Sequence, residues 1–355
     1  MDNAKDAIYS RLKSLKDGSC ASVISPLFCD VLVSERCNLQ CKKCYFWKSK
    51  NPDAVTMEEY KGFILSLKDF EKVPLEINLG GGEPLLKEGI LDLAAFCVRN
   101  GIKPAISTNA TLIDKNMAKR ISDSGLSRLS ISLESLDEKV HDFITGTPGA
   151  YARLMRGIEY LKRYWRGGSL HIHTVIAKQN MRGILDMAEW VNRDGFFSGI
   201  AFIALAQPFL TNTVNQWYLD SEYGLLWPKV TDQAGSVIDA LINYKRSGYK
   251  IINPISQLVV YKRYYDNPDA FARAYKCNFG EYIFNVNVLG LVHLCCFMPP
   301  IGNIKENDIK EIWYSKEAER TRELMRNCQK SCNNIMNCYF QDEGESGGDK
   351  CDGSA

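Results

Sequence analysis

Short apolar runs alternate with longer amphipathic segments between residues 29 and 206. Each run has the length of a β-strand, and several are rich in β-branched residues. The six runs lie at 29–34, 75–80, 103–109, 127–134, 170–177 and 199–206. Strands that alternate with helices predict right-handed βαβ units and a parallel sheet. Because six units are too few for the closed eightfold barrel, the pattern predicts an α/β fold with a partial (βα)6 barrel.

Helix ends and turns add detail to this prediction. Thr56 is followed by Glu59 at the spacing of a capping box, and Gly195 is placed to end another helix. Further along the chain the alternation stops. There, 220–248 is predicted to be largely helical, and apolar residues on both sides of Gly290 predict a β-hairpin.

The changes of pattern divide the chain into four predicted parts. A short N-terminal extension precedes the barrel, a cysteine-rich α+β extension follows it, and a Gly- and Ser-rich tail ends the chain. These parts are 1–29, 30–210, 211–342 and 343–355. In sheets of this kind the working groups follow the C-terminal ends of the strands, so we expect the chemistry in those loops.

Charge is nearly balanced, with 44 Lys and Arg against 42 Asp and Glu and a formal net charge of +2. This balance gives no electrostatic reason to expect nucleic acid or a membrane surface as a partner. The N-terminal segment lacks the apolar core of a secretion signal, and no apolar run is long enough to span a membrane. These features predict a cytoplasmic protein.

Thirteen cysteines are present. In a reducing compartment we expect them to bind metal or to act in catalysis rather than to form disulfides. Cys37, Cys41 and Cys44 follow the first predicted strand with C-x3-C-x2-C spacing. A cluster that is held by three thiolates keeps one iron open for a substrate or cofactor, just as an open position marks catalytic zinc. A zinc site with a distant fourth ligand is the alternative.

This cysteine spacing resembles that of the radical S-adenosylmethionine (SAM) superfamily, as do the glycine-rich GGGEP at 80–84 and the predicted partial barrel. The resemblance implies a 4Fe–4S cluster on the three cysteines, with SAM chelated to the open iron. An electron from a donor such as flavodoxin or ferredoxin would cleave SAM, and the resulting 5′-deoxyadenosyl radical would abstract hydrogen from the substrate. One position departs from the usual pattern, because Lys43 stands where an aromatic residue is usual.

The resemblance also assigns SAM contacts to the ends of the second, third and fourth strands. The glycine-rich loop would receive the amino group, since glycine allows close backbone approach, and polar residues at the next strand ends would reach the carboxylate and ribose. These residues are Gly81, Gly82, Glu83, Thr108, Asn109, Ser132 and Glu134. Polar residues at strand ends are also common for structural reasons, so that interpretation stays open for the last four. His171 and His173 are interpreted as structural, and Asn180 as a possible contact to adenine.

A second set of cysteines resembles the SPASM/twitch extension of many radical SAM enzymes. Its predicted ligands are Cys277, Cys295, Cys328, Cys332 and Cys338. A full SPASM pattern ends with gaps of two, five and three residues, whereas this chain has a longer first gap and Asp342 in place of the last cysteine. The resemblance therefore implies at least one auxiliary iron–sulfur cluster. It leaves open a second cluster that includes Cys351, and zinc is again the alternative.

Three hypotheses follow for function. Relatives with auxiliary clusters modify peptides, oxidise protein side chains, or dehydrogenate and epimerise sugars. The first hypothesis is a radical SAM enzyme that modifies a peptide or protein side chain. The second is a radical dehydrogenase or epimerase of a small polar metabolite such as a sugar or cyclitol. The third is a metal-binding protein without catalysis, which release of 5′-deoxyadenosine from SAM would exclude.

Overall fold

The computed structural model describes residues 25–70, 76–211, 216–228, 231–270, 277–330 and 332. The strands in this part of the chain are β1 (Phe28–Ser34), β2 (Glu76–Gly81), β3 (Pro104–Thr108), β4 (Arg128–Ser132), β5 (Ser169–Ile176), β6 (Gly199–Ala204), β7 (Ile283–Val286), β8 (Leu291–His293) and β9 (Gly302–Asn303). The helices are α1 (Met57–Ser66), α2 (Ile90–Arg99), α3 (Lys115–Asp123), α4 (Glu138–Thr145), α5 (Ala150–Tyr164), α6 (Ile184–Asp194), α7 (Thr231–Arg246), α8 (Ile255–Asp266), α9 (Ile309–Trp313) and α10 (Lys316–Arg326).

The described strands form one sheet in the order β6-β5-β4-β3-β2-β1-β7-β8-β9. Strands β1 to β6 pair in parallel with their neighbours, β7 is parallel to β1, and β8 and β9 are antiparallel. Since β6 stands at one end of this order, the sheet does not close on itself among the described strands. The predicted parallel sheet and partial barrel are thereby confirmed.

Local signals account for most of the element ends. The Thr56 hydroxyl and the Glu59 side chain form the predicted capping box at the start of α1. Gly195 takes a left-handed conformation, φ 74°, directly after α6. Gly290, φ 87°, lies in the turn between β7 and β8, so the predicted hairpin is also confirmed.

The prediction of a largely helical 220–248 is only half right. The helix α7 begins at Thr231, and the described residues before it form turns. The Asp220 carboxylate accepts hydrogen bonds from the N–H groups of Glu222 and Tyr223 at 2.7 and 2.8 Å, which satisfies backbone donors outside a helix. Apolar residues alone did not reveal this competing turn.

Candidate active site and cluster sites

The cysteine loop, residues 37–44, follows the C-terminal end of β1 and is held from two directions. The backbone N–H of Lys42 donates to the carbonyl of Ile144 at 2.9 Å, which ties the loop to the end of α4. A parallel β-bridge joins Cys44 to Phe209, which ties the loop to the segment after β6. The loop is therefore braced at the edge of the sheet where parallel strands collect their working groups.

The three thiols of this loop are partly exposed and lie within electrostatic range of one another. Burial raises the pKa of Cys37 to about 11, and Glu83 and Cys44 add to the rise. Burial also raises the pKa of Cys41 and Cys44, while the positive Lys43 opposes the rise at both. Such thiols are neutral at physiological pH until a bound metal deprotonates them. Three converging soft ligands fit a cluster that keeps one iron open.

The glycine-rich loop packs against the chain that leaves β1. The Gly82 N–H donates to the Ser34 carbonyl and the Glu83 N–H donates to the Arg36 carbonyl, both at 2.8 Å. A Cβ on Gly82 would stand 2.6 Å from the carbonyl oxygen of Glu35 and closer still to that of Arg36. Glycine is required here so that the end of β2 can lie directly against the base of the cysteine loop.

The Glu83 carboxylate is fully buried and holds this loop in place. It accepts hydrogen bonds from the Leu85 N–H at 3.1 Å, the Thr108 hydroxyl at 2.8 Å and the Asn109 N–H at 2.8 Å. Burial raises its pKa to about 7, although these three bonds oppose the rise. The Thr108 hydroxyl therefore helps to hold the Glu83 carboxylate in place. The Asn109 side chain instead donates to Oδ1 of Asn38, in the cysteine loop, at 2.9 Å.

Glu134 follows β4, and its side chain is only 1% exposed. Oε1 forms an ion pair with the Lys43 ammonium, and Oε2 accepts a hydrogen bond from the Val175 N–H at 3.0 Å. The backbone of Glu134 is also held, because its N–H donates to Nδ1 of His141 at 3.2 Å and its carbonyl accepts from Asn180 at 2.7 Å. The carboxylate is thus fixed beside the cysteine loop.

The sequence analysis named two further residues near this site, Asn180 and Ser132. Asn180 donates both amide hydrogens to backbone carbonyls, those of Glu134 and Val175, so its side chain fixes the chain after β5. Ser132 ends β4 and lies in register with His173 of β5. The sequence analysis did not single out His141. Its place beside the site is visible only from the hydrogen bond that it accepts from the Glu134 N–H.

A polar cavity of about 250 Å³ lies on the N-terminal side of these strand ends. Its polar lining consists of Asp30, Glu76, Asn78, Ser107, Arg128 and His173. Arg128 donates to both carboxylate oxygens of Glu76 and to the Ser130 hydroxyl. Burial raises the pKa of Asp30 to about 6 and lowers that of His173 to about 3. The cavity therefore offers a carboxyl group and a neutral imidazole beside an arginine whose charge is already paired.

A second cavity gathers four of the five predicted auxiliary ligands, namely Cys277, Cys295, Cys328 and Cys332. Cys338, together with Cys351 and Asp342, lies outside the described residues. Phe297, Met298 and Met325 complete an apolar wall. Four thiols are the number that one 4Fe–4S cluster takes. Within the described ranges, no three His, Cys, Asp or Glu side chains form a group suited to a single metal ion.

Comparison with known families decides the identity. A model of the radical SAM superfamily matches residues 31–191, from β1 to α6, and includes the cysteine loop. A model of the SPASM iron–sulfur cluster-binding domain matches residues 277–339 and includes the four-cysteine cavity. This chain is a radical SAM enzyme with a SPASM domain. Like its relatives, the radical SAM enzyme uses SAM, a 4Fe–4S cluster and auxiliary iron–sulfur chemistry.

Curated relatives carry several names. The radical SAM enzyme is 26% identical to an AdoMet-dependent heme synthase of Methanosarcina barkeri over 287 residues, which cover 80% of this chain and 81% of that protein. It is 35% identical to an Fe-coproporphyrin III synthase of the same organism over 155 residues, which cover 43% of this chain and 37% of that protein. Apart from the first heme synthase, these relatives are matched over less than half of their length.

Solved structures share the fold at low sequence identity. SuiB of Streptococcus suis bound to S-adenosylmethionine aligns with a TM-score of 0.67 and 18% identity, over 91% of this chain and 74% of that one. The anSMEcpe enzyme with bound AdoMet and a Cp18Cys peptide aligns with a TM-score of 0.59 and 20% identity, over 84% and 83%. Both alignments extend beyond the barrel. None of the described helices has the length and apolarity needed to cross a membrane.

Proposed function

We propose that this radical SAM enzyme modifies a polar side chain of a peptide or protein that enters the cavity beside His173. When bound, a 4Fe–4S cluster held by Cys37, Cys41 and Cys44 would supply, together with SAM, the radical chemistry that removes a hydrogen atom from the substrate. The protein positions the two cofactors, orients the substrate and keeps water away. A flavodoxin or ferredoxin type of donor is the proposed source of the electron.

The loops that follow the C-terminal ends of β1 to β4 form a rim, and each part of this rim has a proposed role. Cys37, Cys41 and Cys44 hold the SAM-binding cluster as thiolates. Gly81 and Gly82 let the end of β2 lie against the chain that leaves β1, where their backbone carbonyls would accept from the amino group of SAM. The buried Glu83 keeps that loop in place through its three hydrogen bonds. The carboxylate of Glu134, fixed by Lys43 and the backbone of Val175, faces the ribose hydroxyls. The support for these roles is that all of them converge at the C-terminal ends of β1 to β4.

The position of the polar cavity is the observation that carries the proposal. Its lining includes Phe28 and Ile283 at the starts of β1 and β7, and it extends to His173, which is in register with Ser132. Cys277 precedes β7 and Cys295 follows the antiparallel β8, so both lie toward the N-terminal edge of the sheet. A substrate in this cavity would have the SAM cluster toward one edge and the auxiliary cluster toward the other. An auxiliary cluster held by Cys277, Cys295, Cys328 and Cys332 would then be able to accept an electron from a substrate radical.

Size and polarity limit the substrate. At about 250 Å³ the cavity is below the roughly 300–1,000 Å³ typical of pockets for drug-sized ligands. One polar side chain, or a small polyol, fits such a space, whereas a flat macrocycle does not. Solved structures of the same fold favour a side chain that is attached to a peptide, because SuiB is seen bound to the precursor peptide SuiA and anSMEcpe is seen with a Cp18Cys peptide.

Modification of a tetrapyrrole is the second candidate function. The relative that is matched over 81% of its length is named a heme synthase, and this is the observation in its favour. The small polar cavity argues against a tetrapyrrole. A small polar metabolite such as a sugar or cyclitol is a further possible substrate, and the deuterium-transfer experiment below distinguishes all three.

Transfer of deuterium identifies the substrate class directly. Source cells are grown in deuterated medium, and their extract is separated into peptide, small-metabolite and porphyrin fractions. Each fraction is incubated anaerobically with the reconstituted radical SAM enzyme, unlabelled SAM and reductant. We expect deuterated 5′-deoxyadenosine, detected by mass spectrometry, only with the peptide fraction. Deuterium transfer from either of the other fractions alone would overturn the peptide assignment.

An arginine variant tests the role of the cavity. Arg128→Met breaks the ion pair that spans the lining, so we expect SAM cleavage to continue while deuterium transfer falls at least about tenfold. Lys162→Met is the matched control, because it breaks a partly exposed ion pair with Asp194 between α5 and α6. Equal deuterium transfer in the two variants would show that the cavity does not hold the substrate.

A further inference from the structure

One buried ion pair stands between the cysteine loop and the rest of the rim. Lys43 lies between Cys41 and Cys44 in the sequence, and its ammonium meets Oε1 of Glu134 in a very close contact. The Lys43 side chain is 17% exposed and that of Glu134 is 1% exposed. A pair that is this shielded is screened little by solvent, so its charges act strongly on their neighbours.

Lys43, the positive member of the pair, affects the pKa of the thiols more strongly than Glu134 does. At Cys41, Lys43 opposes the rise in pKa that burial causes, and Glu134 adds a smaller effect of opposite sign. At Cys44, Lys43 again opposes the effect of burial. The neighbouring Lys42 instead points its ammonium over the ring of Phe143, 4.6 Å from the centroid. The two lysines of this loop thus differ in direction, because the Lys43 ammonium contacts Glu134 and the Lys42 ammonium contacts Phe143.

We propose that Lys43 is a positioning residue that holds the Glu134 carboxylate toward SAM and places a positive charge beside the SAM-binding cluster. The proposal rests on the proposed function, since it takes Cys37, Cys41 and Cys44 as the ligands of that cluster. A cluster held by these cysteines would gain one negative charge on reduction, and a cation beside it would stabilise that charge. The same ammonium holds Oε1 of Glu134, and the Val175 N–H holds Oε2. Together they set the direction in which the carboxylate accepts hydrogen bonds from ribose.

Lys43 has both proposed roles at once: it positions Glu134 and it places a positive charge near the cluster site. Removal of the Lys43 charge makes the reduced cluster less stable and leaves a buried carboxylate with a single backbone donor. Without the lysine, the carboxylate is no longer held in one direction, so it binds ribose hydroxyls more weakly. The geometry therefore predicts that one substitution changes both the reduction potential and the affinity for SAM.

The experiment compares four proteins with anaerobically reconstituted clusters: the wild type, Lys43→Met, Lys43→Arg and Lys42→Met. Midpoint potentials are read by electron paramagnetic resonance during a dithionite titration without SAM, using the signal that SAM perturbs. Equilibrium binding of SAM is measured separately. For Lys43→Met we expect a more negative midpoint potential and about tenfold weaker SAM binding. Lys43→Arg should restore both properties, and Lys42→Met should match the wild type.

Glu134→Gln supplies an independent test with the opposite sign. It removes the negative charge, so the midpoint potential should become less negative while SAM binding still weakens. The inference is overturned if Lys43→Met and Lys42→Met have the same midpoint potential, or if Glu134→Gln shifts the potential in the same direction as Lys43→Met. The proposed function fails separately if the SAM-perturbed signal persists when Cys37, Cys41 and Cys44 are all replaced by Ala.

Discussion

At the scale of single residues, Glu83 shows how burial turns a carboxylate into a pH-sensitive support. Its pKa in the folded state is about 7, whereas the ordinary value is 4.5. Between these two values the folded protein binds more protons than the unfolded chain does. The free energy of unfolding must therefore fall as pH rises through this interval, and the loss is complete once pH exceeds the folded pKa.

Glu83→Gln removes this titration and keeps the shape of the side chain. We expect the stability of the wild type relative to the variant to fall by about 2 kcal/mol as pH rises from roughly 5.5 to 7. Denaturant unfolding of the anaerobically reconstituted proteins across this pH range measures the difference. Parallel stability curves for the two proteins would mean that Glu83 is already ionised throughout the range.

Local spacing predicted the cysteines, but the partners of the rim residues could not be predicted in the same way. Cys37, Cys41 and Cys44 lie in one short loop, so their convergence follows from the sequence alone. Lys43 and Glu134 are 91 positions apart, and their pairing depends on how β4 lies relative to the exit of β1. The hydrogen bond from the Thr108 hydroxyl to Glu83 could not be predicted either, because it joins the ends of two different strands, where a buried carboxylate needs hydrogen-bond donors.

At the scale of elements, the alternation of apolar and amphipathic segments predicted all six parallel strands of the barrel. This works because each strand has a buried face whose residues are mostly apolar, as in β5 where buried and half-buried positions alternate, and because the helices between the strands have a longer amphipathic period. Turn-forming side chains limited the prediction further along the chain, where Asp220 holds the backbone outside a helix. The pairing of β7 with β1 was not predicted either, since a parallel pair so distant in sequence carries no local signal.

Two glycines in different elements should respond oppositely to alanine. Gly82→Ala places a methyl group against the carbonyls of Glu35 and Arg36, so we expect a loss of about 1–3 kcal/mol in unfolding free energy and weaker SAM binding. Gly62 lies inside α1 with no atom within 4 Å of an added Cβ, so Gly62→Ala should stabilise by up to about 1 kcal/mol. Denaturant unfolding and SAM binding check both variants.

The Gly62 variant controls for the general effect of an added methyl group. Its SAM affinity should equal that of the wild type, because α1 contributes no residue to the proposed rim. Equal SAM affinity in both alanine variants would mean that the end of β2 tolerates a side chain and that the loop does not approach SAM closely.

At the scale of the whole molecule, one sheet joins the two cluster sites. The cysteine loop leaves the C-terminal end of β1, whereas Cys277 enters β7 at the end where Phe28 pairs with Ile283. The length of β1 separates these two edges by about 20 Å at a strand rise of about 3.3 Å per residue. The polar cavity lies along this path, as the proposed function requires.

This arrangement predicts that the two cysteine sets fail in different ways. Replacement of Cys37, Cys41 and Cys44 by Ala should lower the iron content by about four atoms per chain and abolish SAM cleavage, while the auxiliary signal remains. Cys277→Ala should instead permit SAM cleavage and stop product formation, because the substrate radical loses its electron acceptor. Iron analysis, 5′-deoxyadenosine release and product mass are measured on the same preparations. Continued SAM cleavage in the triple variant would contradict the assignment of the SAM-binding cluster, and normal product formation by the Cys277 variant would remove the auxiliary cluster from the reaction.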